Sequence, residues 1–151
     1  MTTRRHITHM ALAGLTVAAA ILTGCASMNA PSNMVAMSTA LRAANEVPAN
    51  TSPATGTVDA VLNKDTNLLR WKITHTGLTG PATAGHFHGP AAVAANAGVA
   101  LGWATVESGS EGSATLTAAQ AADLMAGNWY ANIHTKANPG GEIRGQMMVR
   151  N

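Results

Sequence analysis

Leu68-Leu69-Arg70-Trp71-Lys72-Ile73-Thr74-His75 alternates: Leu69, Trp71, Ile73 and His75 fall on one side of an extended chain, and Arg70, Lys72 and Thr74 on the other. A period of two marks a strand with one face on a core and the other in water. Leu69, Trp71 and Ile73 define the core face. Just upstream, Asn63-Lys64-Asp65-Thr66-Asn67 concentrates turn-forming residues, and residues 57–62 before it are again β-like, so the two runs read as a hairpin. Residues 98–105 and 112–116 are further candidate strands. Residues 129–135 are another, with Tyr130, Asn132 and His134 on one face and Trp129, Ala131 and Ile133 on the other. Asn138-Pro139-Gly140-Gly141 is a strong turn signal, after which residues 142–149 close a C-terminal hairpin. Thr117 and Gln120 match a capping box, which predicts a short helix over residues 118–126 stopped by Gly127. Many short strands, frequent turns and one brief helix predict an all-β fold, an antiparallel β-sandwich.

The first residues read as an export signal. Arg4 and Arg5 form a positive start, residues 10–22 an apolar run of 13 residues, and Leu22-Thr23-Gly24-Cys25 follows at once. Such a run falls short of the roughly 20 residues that a membrane-spanning helix needs. Leu22-Thr23-Gly24-Cys25 resembles a bacterial lipobox. That implies cleavage before Cys25, acylation of its sulfur and amine and, with Ala26 rather than Asp following, transfer to the outer membrane of a Gram-negative cell. Several acyl chains anchor a protein stably where one would not. The expected organisation is a lipoprotein signal peptide at residues 1–24, a flexible tether at 25–37, small and polar in composition, and a folded domain at 38–151.

Nine Lys plus Arg face seven Asp plus Glu over the whole chain. Two of the nine are Arg4 and Arg5, so removing residues 1–24 leaves seven against seven and a formally neutral chain. Nucleic-acid binding therefore has no basic surface to draw on, and Trp71, Phe87, Trp103, Trp129 and Tyr130 are the only aromatics for stacking on bases. Cys25 is the only cysteine, which once acylated leaves no intramolecular disulfide. A hydrolase is unsupported, because no Ser-His-Asp or nucleophile-elbow pattern occurs.

Chemistry concentrates in the histidines. In Ala84-Gly85-His86-Phe87-His88-Gly89-Pro90 an extended backbone puts His86 and His88 on one face, about 7 Å apart at Cα, with Phe87 pointing away. Two such imidazoles can converge on an ion at about 2.0–2.1 Å, and His134 from another strand would complete a three-nitrogen site. The plain alternative is that these histidines hydrogen-bond to turns and hold one end of the sandwich together. His75 is the candidate fourth ligand, although its place beside Trp71 and Ile73 reads first as a core-edge histidine. Glu46, Tyr130, Asn132 and Arg144 are candidates for orienting the ligands, with Glu46 expected to pair with Arg144. Glu142 and Arg144 share a strand face and read as an exposed ion pair of little weight. Met34 and Met37 in the tether, and Met147 and Met148 in the last strand, are soft donors suited to Cu(I), though methionine is ordinary in linkers and cores. Copper heads the affinity order for an imidazole-rich site and is the expected metal, with zinc the alternative.

Three blocks in sequence carry a family resemblance: Leu41-Arg42-Ala43-Ala44-Asn45-Glu46-Val47-Pro48; Gly77-Leu78-Thr79 with residues 84–90; and residues 124–135 with Pro139-Gly140-Gly141-Glu142-Ile143-Arg144-Gly145-Gln146. Over residues 37–149 the chain resembles a CHRD domain, the module named after chordin. The resemblance implies an extracytoplasmic β-sandwich, found in secreted bacterial proteins as well as in animal chordins. The His-x-His strand is also similar to that of copper/zinc superoxide dismutases, so an Ig-like or superoxide dismutase-like Greek key is the expected architecture. Those enzymes use four histidines on copper and a structural disulfide. Here, with His6 and His9 in the signal segment, four of six histidines are left for everything else and Cys25 has no partner. The expected function is a lipid-anchored envelope protein that binds copper, with zinc second, through His86, His88 and His134. A metal-free module that binds an envelope protein is the alternative, and a dismutase-like enzyme comes last. The expected partners are thus the membrane through Cys25, the metal ion and, in the alternative, an envelope protein.

Overall fold

The hairpin around residues 63–67 forms because Asn63 and Asn67 both suit a turn. Asn63 Oδ1 accepts from the backbone N–H of Asp65 (2.9 Å) and Thr66 (3.1 Å), and Asn67 takes the left-handed conformation at φ 53°, which asparagine tolerates. This is a computed structural model describing Met1 and residues 33–150. The expected signal segment beyond Met1, Cys25 and the tether through residue 32 lie outside the described residues.

Nine strands and one helix follow in chain order among the described residues. They are β1 (Met34–Arg42), β2 (Thr55–Asn63), β3 (Leu68–Thr76), β4 (Ala82–His88), β5 (Val99–Gly102), β6 (Glu111–Thr115), α1 (Ala118–Met125), β7 (Tyr130–Thr135), β8 (Ile143–Gln146) and β9 (Met148–Val149), with a 3-10 turn at Ala43–Asn45. The antiparallel sheet runs β5-β4-β7-β8-β1-β2-β3-β6, and β9 pairs with β1. The sandwich is therefore one sheet curled on itself rather than two separate sheets. Its two halves meet across the core, where Phe87 of β4 packs edge-on against Trp71 of β3 (ring centroids 5.4 Å) and against Trp103 (5.2 Å). Leu69 and Ile73 are fully buried and Trp71 is 7% exposed, as the alternation in β3 requires.

The sheet begins earlier than the tether reading supposes. Met34 to Arg42 pairs without interruption against Asn63 to Thr55 of β2, so residues 34–37 are held by a hydrogen-bonded ladder. Met37 is fully buried in the core, as is Met147, which removes both from the candidate sulfur ligands; Met34 and Met148 are exposed. The last segment also departs from a single strand. It pairs with β7 through β8, then changes partner, so that Met148 and Val149 lie opposite Ser38 and Met37. The helix matches its signals: Thr117 Oγ1 accepts from Gln120 N, and Gln120 Oε1 accepts from Thr117 N. At its other end Gly127 has φ 76°, while Gly127 N and Asn128 N donate to Leu124 O and Asp123 O, a Schellman stop that only a left-handed residue permits.

Candidate metal centre

β4, β7 and β8 lie side by side, with His86 opposite Asn132, His88 opposite Tyr130, and Asn132 in turn opposite Arg144. Residues paired in this way share a face. One face of the three strands therefore carries His86, His88, Tyr130, Asn132, His134 and Arg144, while Phe87, Ala131 and Ile133 go to the core, each fully buried. Gly85 makes room on that core side. A Cβ there would lie 2.2 Å from Trp103 Cε3, so only glycine lets the indole lie against the backbone beside His86.

The structure brings His86, His88 and His134 together, with one ligand atom from each lying within 4.8 Å of the others. Two of the three rings are fixed by backbone carbonyls: His88 Nδ1–H donates to Ala97 O (3.0 Å) and His134 Nδ1–H to Pro139 O (2.9 Å). A carbonyl only accepts, so the proton is on Nδ1 and in the neutral ring Nε2 carries a lone pair, the tautomer a metal needs. His86 Nδ1–H then donates to His134 Nε2 at 3.1 Å. Burial lowers the pKa of His86, and the neighbouring His134 and His88 push the same way. Burial likewise lowers His134, against a smaller opposing effect of the bond to Pro139. Both are thus biased towards the neutral form.

Residues 89–98, between β4 and β5, cross the outer side of these strands as a strap whose ends are joined by Gly89 N donating to Gly98 O (3.3 Å). Its carbonyls are held from below. Arg144 donates to Ala95 O and to Asn96 Oδ1 (2.8 Å), and Gln146 Nε2 donates to Ala91 O (3.0 Å). Tyr130 stacks on His88 with centroids 4.7 Å apart and rings 3° from parallel, and Arg144 Cζ lies 3.6 Å from the Tyr130 centroid. Arg144 and Tyr130 therefore support His88, the first through the second. The strap was invisible in the sequence, because its contacts run through backbone carbonyls of a run rich in alanine.

The remaining candidates fall elsewhere or behave differently. His75 stands on β3 outside the cluster, where Nε2–H donates to Val106 O at 2.8 Å, and it lines a separate cleft of about 440 Å³ with Arg42 and Thr74. The dismutase likeness thereby loses its fourth histidine. Glu46 does not pair with Arg144, whose guanidinium is committed to the strap. Its Oε1 is buried without a hydrogen-bond partner, and its carboxylate packs against Gly141, where a Cβ would lie 2.5 Å from Oε1 and φ is 130°. Burial pushes Glu46 up to about 7 despite the pull of the Arg144 charge and a bond from Val47. Glu142 is not an exposed ion pair. Fully buried, it accepts from Ser52 Oγ (2.6 Å), Thr79 N (2.9 Å), Thr79 Oγ1 (2.7 Å) and Thr135 Oγ1 (2.5 Å). Burial alone would raise its pKa, but these bonds hold it down to about 2.

The CHRD domain family matches residues 37–147, which take in every strand of the cluster. The chain belongs to the CHRD domain family. Membership suggests an extracellular protein-interaction module, and the three histidines of this CHRD domain stand close enough together to bind a metal ion. Neither curated proteins nor solved structures give a match to this chain.

Proposed function

We propose that this CHRD domain binds one metal ion, copper first and zinc second, at His86, His88 and His134, and that it does so as a lipid-anchored protein of the cell envelope. The observation that supports the reading is the convergence of three histidine ligand atoms within 4.8 Å of one another, with His88 and His134 held in one tautomer by Ala97 O and Pro139 O. Turns alone would be served by each histidine bonding its own carbonyl and would not require three rings from two strands to share one point. Copper leads because Cu(II) tops the affinity order for nitrogen donors. The anchor rests on Leu22-Thr23-Gly24-Cys25, and intact-mass analysis of envelope-purified protein checks it: acylated Cys25 is expected, and a free thiol there would refute it.

Titration of purified residues 26–151 with Cu(II) and Zn(II) is expected to saturate at one ion per chain, with affinity better than micromolar. His86→Ala, His88→Ala and His134→Ala should each weaken it by more than about tenfold, since loss of even an outer-shell support costs that much. Binding that survives all three substitutions, or fails in the unaltered chain, would overturn the proposal. The family membership favours a second reading, a metal-free module that captures an envelope protein. Capture that is unaffected by chelator and by His88→Ala would select it.

A further inference from the structure

Asn132 occupies a stranger position than a residue that merely orients ligands. Its Oδ1 lies 3.0 Å from His88 Nε2 and 3.0 Å from His134 Nε2. Both nitrogens present lone pairs, because the Nδ1 protons of these rings are committed to Ala97 O and Pro139 O. An amide oxygen also has only lone pairs to offer. Asn132 Oδ1, on a residue that is 2% exposed, thus faces two ring nitrogens at hydrogen-bond distance with no proton in either contact, since the one donor near His134 Nε2 is His86 Nδ1–H on its other side. A geometry that is repulsive when empty becomes attractive around a cation. Donor atoms about 2.0–2.1 Å from a shared ion lie about 2.9 Å apart at right angles and about 3.3 Å apart at the tetrahedral angle. The spacings along His88 Nε2, Asn132 Oδ1, His134 Nε2 and His86 Nδ1 are 3.0, 3.0 and 3.1 Å. A tautomeric shift of His86 moves its proton to Nε2 and frees Nδ1 to join the set.

We infer that the side-chain oxygen of Asn132 is the fourth ligand, so that the site is three nitrogens and one oxygen and selects a divalent ion, Cu(II) or Zn(II), over Cu(I). This rests on the metal-binding reading of the three histidines. The preference follows from donor chemistry: a hard amide oxygen suits a divalent ion, and no thiolate or thioether belongs to the set. The competing arrangement has the amide turned end for end, its NH2 donating to both Nε2 atoms, so that Asn132 pins the histidines and competes with the metal.

The two arrangements move affinity in opposite directions. Asn132→Leu keeps the bulk and removes the donor, and it is expected to weaken Cu(II) and Zn(II) binding by about tenfold or more and to change the Cu(II) EPR spectrum. Asn132→Asp restores an oxygen and should bind at least as tightly as the unaltered chain. A measurement on the unaltered chain guards against a variant that fails to fold: the Asn132 carbonyl carbon should shift in its NMR resonance as one equivalent of Zn(II) is added. If the unaltered chain binds metal but Asn132→Leu binds as tightly or tighter with the same EPR spectrum, or if that carbon stays put, Asn132 is not a ligand. Tighter binding of Cu(I) than of Zn(II) by the unaltered chain would overturn the selectivity. If the unaltered chain binds neither divalent ion, the histidine site itself fails and the inference falls with it.

Discussion

Glu46 and Glu142 carry the same carboxylate and are driven in opposite directions by what surrounds them. Glu142 has four donors and sits at about 2; Glu46 has an orphaned Oε1 and sits at about 7. For Glu46 the folded value lies above the unfolded one near 4.5, so its contribution to stability is present below about pH 4.5 and lost as pH rises through about 7. Glu46→Gln is therefore expected to stabilise the fold by about 2 kcal/mol at pH 8 and to do little at pH 4.5. Urea unfolding at the two pH values checks it, and an equal effect at both would remove titration as the cause. The histidines run the other way. With burial lowering the pKa of His86 and His134, protons compete for the ligands only below the ordinary value of 6.5, so bound Zn(II) should be half released at a pH below 6.5. At this scale the face shared by His86 and His88 was legible in the sequence, because a two-residue spacing on a strand has one geometric outcome; that His134 reaches them depends on β7 pairing with β4. The expected pairing of Glu46 with Arg144 does not form, because opposite charge says nothing about which acceptor claims the guanidinium first.

Among the elements, the strap over residues 89–98 depends most on contacts distant in sequence. Arg144 holds it through Ala95 and Asn96 while lying over Tyr130, which stacks on His88. Arg144→Ala should release the strap, expose His88 and cost about 1–3 kcal/mol, since two part-buried charge-assisted hydrogen bonds and an aromatic face lose their partner together. Limited proteolysis should then cut within residues 89–98, where the unaltered chain is expected to resist. Arg144→Lys should not rescue it, because a single ammonium cannot make the fork and the stack at once; full protection in either variant would count against the strap's dependence on this residue. Helix α1 lies at the opposite extreme. Its capping box, its Gly127 stop and its length were all readable, because every contact that bounds it lies within a few residues of chain.

For the whole molecule, Glu142 joins segments that are far apart in sequence: the loop holding Ser52, the loop holding Thr79, and Thr135 at the end of β7. Its folded value of about 2 lies below the unfolded one, so this stabilisation is present above about pH 4.5 and lost as pH falls towards 2. Glu142→Ala strips all four donors of their acceptor and is expected to lower stability by about 2–4 kcal/mol at pH 7, with the gap to the unaltered chain closing near pH 2. Thermal unfolding across that range tests it, and a gap constant with pH would show that packing rather than the carboxylate is responsible. The sequence by itself determined the all-β class, the β2–β3 hairpin, the capped helix and the face that His86 and His88 share, since each follows from periodicity or turn chemistry over a few residues. Only the tertiary structure decided that one sheet curls on itself, that residues 34–37 join it, that His75 stands apart, and that Asn132 lies between two histidines. Those outcomes depend on which strands become neighbours, and strand order is set by burial of the whole core rather than by local pattern.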